Sequence, residues 1–233
     1  MWAEKEAGKF VKSKDAVKSS VARAYIAASE AYRTAIGEIP LPTQVQELSI
    51  SPLPKETQQL IEHLKKDGMV IYDLSGKTPV ALHGEGMRFS YVNPVLENFS
   101  SKPSLVAFNP HPDKFFLQGS LKLPHVQQLE LLDQEKILVE KAYSGAGLLV
   151  REWYAPELIE ATHSHFKATD QKLFGPDHNF NWTWTNTYAS EQAGADRAYV
   201  GDWGDVGLVV SFVNPDFVYP SLGLAPVVEI PRI

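Results

Sequence analysis

Phe180-Asn181-Trp182-Thr183-Trp184-Thr185-Asn186-Thr187-Tyr188 alternates large aromatic and small polar side chains, with Asn186 alone breaking the aromatic row. Successive side chains of a strand point to opposite faces, so this period of two predicts a strand with one aromatic and one polar face. Three aromatics on one face read as core. Downstream, 198–213 predicts two strands joined at Gly201 to Gly204, and Pro226 to Ile230 a last short strand. The C-terminal third therefore reads as a mostly antiparallel sheet.

Upstream the period changes. Ala3, Ala7, Phe10, Val17, Val21 and Ala24 open a stripe at helical spacings that continues to Ala35, and Gly37 and Pro40 stop it. This predicts one long helix over 4–36. Pro40, Pro42, Pro52 and Pro54 mark an extended connector. Residues 55–67 predict a short helix closed by Gly68, followed by a strand over 69–74. Pro79 to Leu82, Phe89 to Val92, Leu105 to Phe108 and Leu148 to Trp153 are short strand candidates. Residues 124–143 and 156–174 predict two further helices. Leu138 belongs to the core arc of the first; Leu158, Ile159, Thr162 and Phe166 belong to that of the second. The expected class is α+β: a long N-terminal helix, two further helices and a mostly antiparallel sheet completed by the C-terminal third. The expected organisation is an N-terminal helical arm at 1–37, a proline-rich connector at 38–54 and a single α+β domain at 55–233.

Composition narrows the function classes. The 233 residues contain no cysteine, which removes thiolate nucleophiles, cysteine zinc sites and iron–sulfur clusters. Apolar residues make up 44% and charged residues 21%, the values of a folded domain. Seven Lys or Arg stand against four Asp or Glu in 1–34, and fifteen against twenty-four in the rest. An acidic body repels phosphate backbones, so nucleic acid is not an expected partner. No apolar run reaches the ~18–20 residues of a membrane span, and the first residues lack the order of a signal peptide. A soluble, cytoplasmic protein is expected.

Few motifs carry chemistry. Ser75-Gly76-Lys77-Thr78 has the ending of a phosphate-binding loop, but the glycine required five positions before Gly76 is Ile71. Glu160-x-x-His163 is half of a di-iron motif without a second copy. His163 is expected at the surface, and His165 as a satisfied histidine at the edge of the core. Asp202, Asp205 and Asp216 fall in turns, which explains them without a metal. His111-Pro112-Asp113 can supply two ligands of a 2-His-1-carboxylate iron site. It also reads as a proline-enforced turn in which Asp113 caps the residues after it. The unit of helix, Gly68 and strand over 55–74 is similar to the opening element of iron- and 2-oxoglutarate-dependent oxygenases. That resemblance spans fewer than about twenty residues, and many α/β folds begin in the same way. It implies Fe(II) and 2-oxoglutarate as cofactors and His111, Asp113 and His165 as metal ligands, with His163 or His178 in place of His165. The Arg-x-Ser that follows the distal histidine in that family is missing, and Lys172 is the only cation near its place.

No complete catalytic set is present, so the leading expectation is a non-catalytic domain that binds a small molecule or a protein partner without a cofactor. The oxygenase-like enzyme, or its metal-free relative, is the alternative. Ligand contacts are expected from Trp203, Tyr199 and Trp184, with Trp203 foremost because it stands between Asp202 and Gly204 in a polar turn. A protein partner or a second copy is expected to meet residues 4–36. Removing 1–36 should then change the oligomeric mass or the partners retained, measured by light scattering and pull-down; unaltered mass and partners refute that role.

Overall fold

The computed structural model describes residues 53–175, 181–190 and 195–232. The chain divides into two units, Met1–Ser51 and Pro52–Ile233, and all described residues belong to the second. The long helix expected over 4–36 lies outside the described residues.

Among the described residues, two sheets and five α-helices make a mixed α+β fold. Helix α1 (Lys55–Lys66) leads into β1 (Val70–Leu74), then α2 (Pro79–Gly84), β2 (Phe89–Val92), β3 (Ser104–Phe108) and the single turn α3 (Pro112–Phe115). Helix α4 (His125–Ala142), β4 (Leu149–Glu152) and α5 (Ala155–Thr169) come next. The chain closes with β5 (Trp182–Tyr188), β6 (Arg197–Gly204), β7 (Gly207–Val213), β8 (Leu222–Gly223) and β9 (Pro226–Ile230). The first sheet has the order β1-β3-β9-β4 and is antiparallel throughout. The second has the order β2-β7-β6-β5-β8; its outer pairs, β2 with β7 and β5 with β8, are parallel.

Strand β3 shows why the first sheet sits where it does. All five of its residues are buried. Val106 and Phe108 enter a core shared with Val200 and Val210 of the second sheet and with Leu158 and Ile159 of α5. Leu105 and Ala107 enter another core with Leu64 of α1 and Leu132 and Val139 of α4. A strand covered on both faces needs an unbroken apolar run, which Leu105 to Phe108 supplies. Each fully buried Leu, Val or Phe contributes about 1.5–3 kcal/mol of transfer free energy.

Several expectations need correction. Pro79 to Leu82 opens a helix: Thr78 caps it by accepting from the Ala81 amide at 3.2 Å, and Pro79 lacks the N–H a strand would use. Helix α5 ends at Thr169, because Asp170 turns left-handed at φ 58°. Leu173 and Phe174 are buried beyond it. The β6–β7 turn falls after Gly204. Leu138 is exposed, off the core arc assigned to it. In β5 the threonine face is the deeper one. Thr183 and Thr185 are fully buried, and their hydroxyls donate to the Trp184 and Ala198 carbonyls. Thr183 also accepts from the Ala225 amide at 2.8 Å, and Thr187 from the Ala155 amide at 2.8 Å. A buried hydroxyl is tolerated when it is bonded in this way.

A buried charged group joins the layers. Glu152 ends β4 in the first sheet, Arg197 begins β6 in the second, and His125 begins α4. Glu152 lies 2.8 Å from Arg197 and 2.8 Å from His125 Nε2. Arg197 also donates to the Thr185 carbonyl at 3.2 Å and to Asn186 at 3.3 Å, and its guanidinium lies 4.7 Å from the centre of the Tyr188 ring. Burial pushes the Glu152 carboxyl up, but the His125 hydrogen bond and the Arg197 charge outweigh it and hold it below the usual value of 4.5. Removing one partner of a buried pair leaves the other charge uncompensated, so Glu152→Gln should destabilise the fold by about 3–5 kcal/mol in denaturant unfolding. A depressed carboxylate contributes stability above its unfolded-state pKa and loses it as the pH falls through the folded value. Wild-type stability should therefore drop below about pH 4.5, with a smaller acid-side loss in the variant.

Candidate functional site

Helix α5 carries a row of polar side chains: Glu157, Glu160, His163 and Lys167. Each is three or four residues from the next, the spacing that stacks side chains along one side of a helix.

The first two are structural. Glu157 is buried at the start of the helix, where a carboxylate also meets the positive end of the helix dipole. It takes a two-pronged ion pair from Arg151 at 2.7 and 2.8 Å and a hydrogen bond from Ser104 at 2.6 Å. Glu160 accepts from the amides of Ser75, Gly76 and Lys77 at 2.8–2.9 Å and from the Ser75 hydroxyl at 2.7 Å. The Ser75–Lys77 loop is thus an anion-binding nest, filled by the chain's own carboxylate. Gly76 makes it feasible: its φ is +79°, and a Cβ there would strike the Ser101 carbonyl.

His163 is the third. It is 5% exposed, against the surface position expected for it, and neither ring nitrogen has a hydrogen-bond partner. Its Nε2 stands 3.8 Å from Glu85, beyond hydrogen-bond reach. Burial lowers its pKa, and the Lys167 charge lowers it further. An unbonded buried polar group costs about 1–3 kcal/mol.

His163 lines a cavity of about 350 Å³. Phe166 and Trp203 form its apolar wall, and Arg88, Lys167, Lys172, Glu85 and Asp205 its charged lining. The hydrogen bond from Lys77, in an ion pair at 2.6 Å, holds Glu85 below the usual carboxylate range; Lys167, at 3.4 Å, adds to it. Lys172 Nζ lies 5.8 Å from the centre of the Trp203 ring and donates to the Gly204 carbonyl at 3.2 Å.

Trp203 reaches this cavity through a bulge. Ala198 and Val200 of β6 face the shared core, so simple alternation would turn residue 203 outward with Tyr199. Register with the neighbouring strand slips between Gly201 and Gly204, and Asp202 adopts φ 48°. The slip returns Trp203 to the inner side, 4% exposed and 5.0 Å from Phe166. Gly201 permits it, because a Cβ there would collide with Trp182 and the Asn181 carbonyl.

The other expected ligand residues lie elsewhere. Trp184 is fully buried, edge-on to His125 at 5.5 Å. Tyr199 stacks on Trp182 at 5.1 Å, and Tyr219 covers Trp182 at 5.2 Å. These rings stack on one another on the side of the second sheet away from Trp203. His111 and Asp113 are exposed and 3.8 Å apart. His111, rather than Asp113, caps α3 by accepting from the Asp113 amide at 3.3 Å. His165 is buried with its Nδ1 2.9 Å from the Tyr72 hydroxyl. His111 and His165 line one cavity of about 540 Å³ together with Lys114 and Lys172. Among the described residues, no three His, Asp or Glu side chains gather closely enough to hold a metal ion, so His111, Asp113 and His165 are not brought together as a ligand set. His178 lies outside the described residues. No helix among the described residues is long and apolar enough to cross a membrane.

The burial of His163 had a signal in the sequence: it stands four residues after Ile159 and three before Phe166, both on the core stripe. Nothing local announced Arg88 or Lys172. No family model matches the chain, and no curated protein or solved structure matches it.

Glu160→Gln keeps the size of the side chain but turns an amide N–H toward a nest of donors. It should destabilise the protein by about 1–3 kcal/mol and speed hydrogen exchange at the Gly76 and Lys77 amides; unchanged exchange there would show the nest to be independent of the carboxylate.

Proposed function

We propose that this chain is a small-molecule-binding domain and that the cavity between His163 and Trp203 is its site. The observation that carries the reading is His163: a buried imidazole, lining a cavity, with both nitrogens unbonded. Among the described residues, Ser101, Gln128, Trp153, Trp182 and Trp184 also keep a buried polar atom without a partner, and His163 is the one of this set that lines the cavity with Trp203. A buried polar group without a partner calls for a physical explanation, and a molecule bound in the adjoining cavity supplies one. The cavity also has the mixed character of a binding site, apolar along Phe166 and Trp203 and charged elsewhere in its lining.

A protein partner fits the same reading at a different place. The alanine-rich stripe of 4–36 supports a partner-facing helix on sequence grounds alone, and the truncation of 1–36 tests it. The oxygenase-like alternative gains no support from the exposed His111–Asp113 pair.

The test is a screen of the full chain against a mixed library of acids, bases and neutral compounds. Hits are accepted when they move the His163 ring signals in NMR spectra and are lost in Trp203→Leu. Replacing an unbonded polar group by an apolar one of similar shape removes its penalty. His163→Leu should therefore raise stability by about 1 kcal/mol while abolishing binding, the trade expected where function holds a group in a strained setting. A destabilised His163→Leu, or a library with no compound acting at His163, refutes the site.

A further inference from the structure

Resting on that reading of the cavity, we infer that its ligand is a small organic anion with an apolar body: a carboxylate set toward Arg88 and Lys172, and a hydrocarbon part against Phe166 and Trp203 beside His163. Charge is the first argument. Three cations line the cavity, Arg88, Lys167 and Lys172, against two carboxylates, Glu85 and Asp205. The Glu85 charge is already met by Lys77 at 2.6 Å and Lys167 at 3.4 Å. Arg88 and Lys172 have no carboxylate partner among the described residues. The positive surplus sits on a body whose remaining sequence is acidic, with fifteen Lys or Arg against twenty-four Asp or Glu after residue 34. It is therefore a local feature and not a spill-over of the overall charge.

Shape supplies the rest. A cavity of about 350 Å³ lies at the small end of ligand sites. One wall is aromatic and apolar, which a bare inorganic anion would leave unused.

The experiment titrates the full chain with 3-phenyllactate, with its uncharged amide and with inorganic phosphate, following the His163 ring signals and the fluorescence change that is lost in Trp203→Phe. Phenyllactate is expected to bind about tenfold or more tighter than the amide, and to weaken with salt. Arg88→Met and Lys172→Met should each weaken phenyllactate by about tenfold and weaken the amide by much less. Equal binding of acid and amide, or indifference to both substitutions, overturns the anion while leaving the cavity as a site for neutral compounds. Phosphate binding as tightly as phenyllactate overturns the apolar body. If none of the three moves His163, this inference falls, and the mixed-library screen decides separately whether the cavity binds anything.

Discussion

Arg197 sits where two sheets and a helix meet, and most of the architecture is arranged to keep its charge matched. Its guanidinium reaches Glu152 across the sheet boundary, turns to the Thr185 carbonyl and Asn186 within its own sheet, and abuts His125 at the head of α4. Apolar contacts are indifferent to register, whereas a buried ion pair tolerates little displacement. The Glu152–Arg197 contact therefore fixes how the edge of the first sheet meets the second. With that distance set, α5, which begins three residues after Glu152, is aimed along the shared core.

Along α5 the same logic repeats with hydrogen bonds. Glu157 is held by Arg151 and Ser104, and Glu160 by three consecutive amides. Both carboxylates are saturated. His163, one step further, is the first polar group of the row without a partner. The contrast separates saturated groups from the unbonded imidazole more sharply than any one residue type could, since Glu and His would both count as chemistry-bearing in a bare sequence.

Much of the fold was legible in local pattern. The apolar run of β3 and the glycine after α1 each state a local preference that the structure honours, whereas the alternation up to Tyr188 marks a strand without saying which of its faces lies deeper. Pro79 is ambiguous because a proline can open a strand or a helix, and only Thr78 as a cap decides between them. The candidate site was harder to see, for a physical reason. Trp203 points inward only because Asp202 inserts a bulge, and no periodicity survives a bulge. Arg88 and Lys172 meet only through the folding together of segments eighty-four residues apart. His163 could have been placed from its spacing to Ile159 and Phe166, but its missing partners could not.

The saturation of Glu157 and Glu160 also has a mechanical side. A helix fastened at its start and again one turn later cannot roll about its long axis without tearing carboxylates from their donors. If the cavity binds a small molecule as proposed, the walls that α5 contributes would act as a gauge instead of a glove, and the empty and occupied forms would superimpose along this helix.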